Sequence, residues 1–261
     1  MKIKSLQMKI ALVQQPLVWE NAAENRNLFQ QKINEIRTTV DLIVLPEMFT
    51  TGFSMNPKPI AETMNGETVL WMQKIAADRN CALAGSIVIS AKSKFYNRFL
   101  FVHPDGKIDF YDKKHLFSLA GEHHEYEAGN FQKIIEFRGF RICSLICYDL
   151  RFPVFARNVD DYDVLVYVAN WPKPRINAWD ALLKARAIEN MSYCIGVNRT
   201  GEDANKNEYC GHSQVIDYMG NSVLEPQTVD GVFVVDINKE TMLETRQKFG
   251  FLNDRDSFLL V

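Results

Sequence analysis

The chain lacks the features that mark most specialised protein classes, and each absence removes a possibility. Its 30 Lys and Arg face 32 Asp and Glu, for a formal net charge of -2 over 261 residues. That balance offers no basic surface of the kind phosphate backbones demand, so no nucleic acid is expected as a partner. No apolar run approaches the roughly 18 residues that span a bilayer. The opening MKIKSLQMKIALVQQ places lysines where a signal peptide carries its apolar stretch, and it has no small-residue cleavage site. A protein without membrane attachment, kept in the cytoplasm, is the expectation. Met8 opens a better strand than Met1, which leaves residues 1–7 as either an extension or an upstream start. The five cysteines are odd in number and show no CxxC spacing, which argues against a disulfide framework and a zinc ribbon. Cys143 and Cys147, if on one strand, share a face roughly 13 Å apart, too far for a disulfide. Low-complexity segments, Pro/Gly-rich linkers and charge blocks are absent as well, so residues 1–261 are expected to form a single domain.

What is present is a dense alternation of strand and helix patterns in a chain that is 47% hydrophobic. KIALVQ reads as a strand, and residues 21–39 as an amphipathic helix burying Leu28, Phe29, Ile33 and Ile36. DLIVLPE is a continuous apolar run of the kind found in strands covered on both faces. Residues 68–78 read as a second helix, with Val69, Met72 and Ala76 at three- and four-residue spacing. Strands are predicted over 82–90, 98–103 and 107–111, the last two joined by a PDG turn in which proline presets φ and glycine accepts positive φ. Then come FQKIIEF, RICSLIC and DVLVYVAN, a helix over 178–191, and strands over 194–199, 213–217 and 232–236. Helices flanking two successive groups of strands predict an α/β fold layered α-β-β-α, not one doubly wound sheet. LIVLPE and SLICYD should end at the same edge of those layers, where α/β sites sit.

Three residues at strand ends stand out. In LICYDLRFP, residues 145–153, Cys147 is either one more buried thiol or a nucleophile. Asp149 suits an N-cap and Pro153 the first turn of a helix, placing Cys147 at a strand-to-helix elbow. There the helix dipole would lower the thiol pKa and the turn would expose the sulfur. Glu47 ends an apolar run, where a carboxylate must cap a loop, pair with a lysine or act as a base. In YDKKHLF, one of Lys113 and Lys114 points inward if the extended pattern persists, and a buried ammonium would stabilise a thiolate or an oxyanion. His115, His123, His124 and His212 offer a rival Cys-His pair or zinc site. No HExxH or Cys-paired spacing supports it, and His115 reads instead as a shaper of the lysine loop.

Together, LPEMFTTGF, YDKKHLF and CYDLRFP resemble the Glu-Lys-Cys motifs of the nitrilase superfamily, the carbon-nitrogen hydrolases, in family order. The likeness extends over essentially the whole chain, including ARAIEN and GHSQVIDYMGN. It implies Glu47, Lys113 and Cys147 as the catalytic triad, the K-x-H-L-F context selecting Lys113 over Lys114. It also implies a second glutamate seven residues before a glycine. Counting back from Gly129 gives Glu122, with Glu125 and Glu127 fitting that register less well.

Within the family, PEMFTTGFSM, CYDLRFPVFARN and YVANWPKPR are similar to the ω-amidase branch, which hydrolyses the terminal amide of 2-oxoglutaramate or 2-oxosuccinamate. Nitrilases typically carry tryptophan beside the cysteine, whereas Tyr148 follows it here, which favours an amide. The resemblance implies a thioester mechanism with the Tyr148 backbone amide helping to hold the oxyanion, no metal, no organic cofactor, and a homodimer. In NWPKPRINAW, Arg175 is expected to meet the far carboxylate of a small ω-amide and Trp171 to form a pocket wall. The competing readings are another carbon-nitrogen hydrolase, such as a nitrilase or carbamoyl-amide hydrolase, and a catalytically silent binding protein on the same fold.

Overall fold

A computed structural model describes residues 6–258; residues 1–5, most of the stretch left open as an extension, lie outside the described residues. Two six-stranded sheets form the interior. The first collects β1 (Gln7–Gln14), β2 (Leu42–Val44), β3 (Ala82–Ala91), β4 (Lys94–Val102) and β5 (Ile108–Asp112) in chain order. The second begins with β6 (Ile134–Phe137), β7 (Phe140–Ile146), β8 (Val164–Val168) and β9 (Tyr193–Val197). A small ribbon of β10 (Thr200–Glu202) and β11 (Glu208–Cys210) follows, after which β12 (Ser213–Ile216) and β13 (Ser222–Gln227) complete the second sheet. β14 (Gly231–Asn238) crosses back to pair antiparallel with β1 from Gln7↔Asn238 to Gln14↔Gly231, so the late strand predicted over 232–236 closes the first sheet.

Period-two alternation explains the layering. In β1, Ile10 and Leu12 turn toward the second sheet, while Ala11 and Val13 turn toward the helices. Leu42 and Val44 alternate with Ile43 and Leu45 in the same way, as do Phe99 and Phe101 with Leu100 and Val102. The outer faces are covered by helices. On the first sheet lie α1 (Ala22–Asn34) and α2 (Glu67–Arg79), which bury Phe29, Ile33, Val69 and Met72. α3 (Glu122–Glu125) and α4 (Pro153–Ala156) are single turns, and α5 (Ile176–Asn190) packs Trp179, Leu183 and Ala187 against the second sheet. The expected α-β-β-α sandwich is therefore present.

The elements depart from expectation in local ways. The first helix stops at Asn34, Leu28 is only half-buried, and the polar Asn25 is buried in its place. Asn25 donates to the Val18 and Thr50 carbonyls and so anchors two loops. β13 and α6 (Lys239–Phe249) have no counterpart in the sequence reading. SVLEPQ carries a proline and no alternation, and α6 buries Met242 alone, so neither shows a strong period. No described helix is long and apolar enough to cross a membrane.

Parallel pairing sets up the site. β1, β2 and β3 run parallel in one sheet through the α1 and α2 crossovers, and β7, β8 and β9 run parallel in the other. Their carboxyl ends open on the same side of the sandwich, where Glu47, Cys147 and Asn170 follow β2, β7 and β8.

Candidate active site

Glu47 is fully buried, and every oxygen of its carboxylate is engaged. Oε1 accepts from Lys113 Nζ at 3.0 Å and Asn97 Nδ2 at 2.8 Å, and Oε2 accepts from the Asn170 backbone N–H at 2.8 Å. The Asn170 side chain adds a bond from Nδ2 to the Glu47 carbonyl at 2.8 Å. A carboxylate so held has one orientation, which answers the question of how it tolerates burial.

Lys113 lies one residue beyond β5 and is fully buried, whereas Lys114 is half-buried. The extended pattern thus selects the residue that the family context also selects. Lys113 Nζ donates to Glu47 and to both oxygens of Glu122, at 3.1 and 2.9 Å, and stands 5.0 Å from the Phe53 ring centroid. Burial opposes its charge, yet the Glu122 and Glu47 carboxylates outweigh burial and hold its pKa above the ordinary lysine value. Glu122 also accepts from the Phe117 N–H at 2.6 Å. Burial raises its pKa even against the Lys113 charge.

The glycine register behind Glu122 has a steric cause. Gly129 N–H donates to the Lys113 carbonyl at 2.9 Å, and a Cβ at 129 would sit 2.0 Å from the Asp112 carbonyl oxygen. Only glycine lets the chain leaving α3 lie against the lysine strand end. Glu125 and Glu127 are exposed.

Cys147 opens a five-residue 3-10 turn, Cys147–Arg151, with φ of +43°. A left-handed backbone at a non-glycine residue is strained by about 1–3 kcal/mol and persists only where the surroundings enforce it. Its side chain is half-buried and lines a cavity of about 640 Å³. The elbow is real, but two details of its reading are corrected. Asp149 is not the N-cap of the next helix; Phe152 occupies that position. The Asp149 carboxylate instead accepts from the Ile146 N–H at 3.0 Å, the Tyr111 hydroxyl at 2.8 Å and the His115 N–H at 3.0 Å, tying the cysteine turn to the lysine loop. The thiol pKa is also raised, not lowered. Burial is the main cause, the Glu47 carboxylate adds to it both by its charge and by a hydrogen bond with the thiol, and Lys113 opposes it. A turn this short has too little dipole to compete.

Cys143, by contrast, is fully buried in the core between the sheets, as the bland reading expected. His115 does shape the lysine loop: its Nδ1 lies 2.8 Å from Asp149 and its ring stacks on Phe152 at 3.7 Å. His123 and His124 are exposed, and His212 lies 2.9 Å from Asp180. Among the described residues no three His, Cys, Asp or Glu side chains are grouped to hold a metal ion.

Beyond Cys147 the residues lining the cavity include Phe53, Phe117, Tyr148, Trp171, Arg175 and the exposed Arg151. Trp171 is buried and its Nε1 donates to the Arg175 carbonyl at 2.8 Å. The Arg175 guanidinium lies 5.4 Å from the Phe117 centroid, and Tyr148 packs edge-on against the same ring at 5.0 Å. Asn97, Asn170 and Asp149 complete the site and were not singled out from the sequence as site-building residues. The signal for two of them was there: Asn97 interrupts an aromatic strand, and Asn170 ends an apolar one as Glu47 does.

A buried carboxylate and a buried ammonium, paired with each other behind a thiol that lines the cavity, form an arrangement suited to nucleophilic hydrolysis, and comparison with known proteins places the chain among hydrolases. The carbon-nitrogen hydrolase family model matches residues 9–247. The chain belongs to the carbon-nitrogen hydrolase family. It is 45% identical over 254 residues to Omega-amidase YafV of Escherichia coli (strain K12), covering 97% of this chain and 98% of that protein. It is 32% identical to a 2-oxoglutaramate amidase of Bacillus subtilis (strain 168), covering 94% and 96% of the two chains. Among solved structures, a CN-hydrolase superfamily protein from Xanthomonas campestris, described with an arsenic adduct in its active site, superposes with a TM-score of 0.95 at 40% identity. That match covers 98% of this chain and 99% of the other.

Proposed function

We propose that the protein is an ω-amidase, which hydrolyses the terminal amide of 2-oxoglutaramate or 2-oxosuccinamate to the 2-oxo dicarboxylate and ammonia. The observation that carries the reading is that the buried Glu47–Lys113 pair stands beside the Cys147 thiol, which lines a cavity whose walls also hold arginine side chains. Likeness to an omega-amidase and to a 2-oxoglutaramate amidase over nearly the full chain supports the substrate class.

The raised thiol pKa means that the resting cysteine keeps its proton. Glu47 takes that proton as the sulfur attacks the amide carbon, so charge moves from carboxylate to developing oxyanion without a standing thiolate. The Lys113 ammonium faces the oxyanion. The Tyr148 backbone N–H, in the first turn of a 3-10 helix where no intrahelical carbonyl is available to it, supplies a second donor. As the tetrahedral species collapses, the C–N bond breaks and Glu47 returns the proton to the departing ammonia. Water then attacks the thioester carbon and gives a proton to Glu47, and as the C–S bond breaks to free the acid, Glu47 passes that proton to the leaving sulfur and restores the thiol. Glu122 holds Lys113 in place through this cycle. Every step uses side chains, backbone and water. As parts of the same reading, residues 1–261 act as one catalytic domain in a cytoplasmic homodimer.

The decisive experiment is ammonia release by wild type and Cys147→Ala on 2-oxoglutaramate, succinamate, glutamine and a simple nitrile. The expected outcome is a clear preference for the oxo-acid amide, with a loss of about 10⁴-fold or more in the alanine variant. Turnover of the nitrile alone would sink the substrate assignment, and a fully active alanine variant would sink the mechanism.

A further inference from the structure

The arginines of this chain divide into two kinds. Most donate a side-chain hydrogen bond or ion pair within the protein, including Arg98 to Asp112 and Arg186 to the Leu150 carbonyl. Among the described residues only Arg37, Arg151 and Arg175 donate none. Arg37 stands on the exposed segment after α1, but Arg151 and Arg175 both line the cavity that holds Cys147. Each rests on an aromatic ring: Arg151 lies 5.0 Å from the Trp171 centroid and Arg175 5.4 Å from that of Phe117. A ring face positions a guanidinium and leaves its in-plane donors free for a ligand.

We propose that Arg151 is a specificity-determining residue which, with Arg175, clamps the anionic 2-oxo-acid end of the substrate at the cavity mouth. This deepens the ω-amidase reading and rests on it. The 2-oxo-acid end presents carboxylate and ketone oxygens along one edge, all of them acceptors. Two guanidinium forks present donors only, so the match is complete, and each charge-assisted bond is shorter and stronger than a neutral one. Glutamine replaces the ketone with an ammonium, a donor with positive charge, which two guanidiniums repel. The clamp therefore selects the oxo acid over the amino acid as well as the charged amide over a neutral one.

The acidic groups on the same cavity do not neutralise it by pairing with these arginines. Asp203 accepts from the Tyr209 hydroxyl at 2.8 Å, from Asn207 Nδ2 at 3.0 Å and from the Asn205 and Asn207 N–H groups at 2.9 and 3.0 Å. Glu20 accepts from the Ser54 hydroxyl at 2.5 Å. Both arginines are fixed relative to the chemistry. Arg151 closes the turn that Cys147 begins. Arg175 is held through the Trp171 indole on a loop whose first residue, Asn170, grips Glu47.

The test uses Arg151→Met, which keeps a stem over Trp171 and removes the charge, and Arg151→Lys, which keeps the charge and removes the fork. The readout is the ratio of kcat/KM for 2-oxoglutaramate to kcat/KM for butyramide and for glutamine. A second readout is inhibition of butyramide hydrolysis by 2-oxoglutarate, whose 2-oxo-acid end the clamp would also hold. Expected is a fall of about tenfold or more in both ratios for the methionine variant, through KM, with the lysine variant between it and wild type. Weaker 2-oxoglutarate inhibition in both variants is expected alongside. Ratios within about threefold of wild type in both variants would overturn the clamp while leaving the ω-amidase reading intact. A wild type inactive on 2-oxoglutaramate would instead overturn that reading and the clamp with it.

Discussion

The two ends of the site, a closed cluster behind Cys147 and an open cavity in front of it, are built on opposite principles. At the closed end, Glu47, Lys113 and Glu122 are fully buried, and the two asparagines that frame them fix Glu47 with four of their donor contacts. At the open end, Arg151 and Arg175 carry charge with no partner but a ring face. Proton transfer and oxyanion stabilisation need groups that are already oriented before substrate arrives, because reorientation during the reaction adds to the barrier. Recognition needs the reverse: donors already committed to the protein would have to be released before binding an anion. On the function proposed above, the same residue types, charged side chains at strand ends and in loops, serve chemistry when saturated and binding when left free.

Breaking the closed end should have the largest effect. Lys113→Met leaves two buried carboxylates facing each other, and loss of one partner of a buried ion pair destabilises by about 3–5 kcal/mol. The variant is expected to lose most activity and to melt well below wild type, and an unchanged melting temperature would show that the cluster is less tightly buried than described. The Lys113 pKa lies above its ordinary value, so the stabilisation it gives is present below the unfolded pKa and is lost as pH rises through the higher folded one. Asn170→Ala sharpens the comparison by loosening Glu47 while keeping its charge. A loss of about 10–100-fold in kcat with little change in KM is expected, since one buried bond is worth about 1–3 kcal/mol. A change confined to KM would move Asn170 to the recognition end. The smallest effect on the fold belongs to Arg175→Met. KM for 2-oxoglutaramate should rise about tenfold, while the melting temperature, read by circular dichroism, stays within about 1 °C because no hydrogen bond or ion pair within the protein is lost. A marked drop in melting temperature would erase the distinction between the two ends.

Legibility in the sequence follows the same division. Glu47, Lys113 and Cys147 were visible because each follows a run of strand-like residues, where a charged or reactive group has no structural excuse. Glu122 was reached only through a family register, and its physical basis, the contact between Gly129 and the Asp112 backbone, is a meeting of segments that no local pattern encodes. Asp149 was read as a helix cap because its local context suits one. Its carboxylate instead bonds Tyr111, on the edge strand of the other sheet, and His115, in the loop that follows that strand. α6 and β13 escaped notice because neither buries enough apolar surface to impose a period.

By itself the sequence determined most of the strands, their two-faced burial, the crossover helices and the candidate residues at strand ends. These follow from side-chain period and from the cost of leaving apolar groups in water, both of which act over a few residues. The tertiary structure decided what those residues are to one another. Stacking two sheets brought a carboxylate from one to a thiol from the other, and enclosing them reversed the expected direction of the thiol pKa, because burial and a nearby carboxylate outweigh a single short turn. Proximity and solvation are properties of the assembled fold, and the chemistry of Cys147 depends on both.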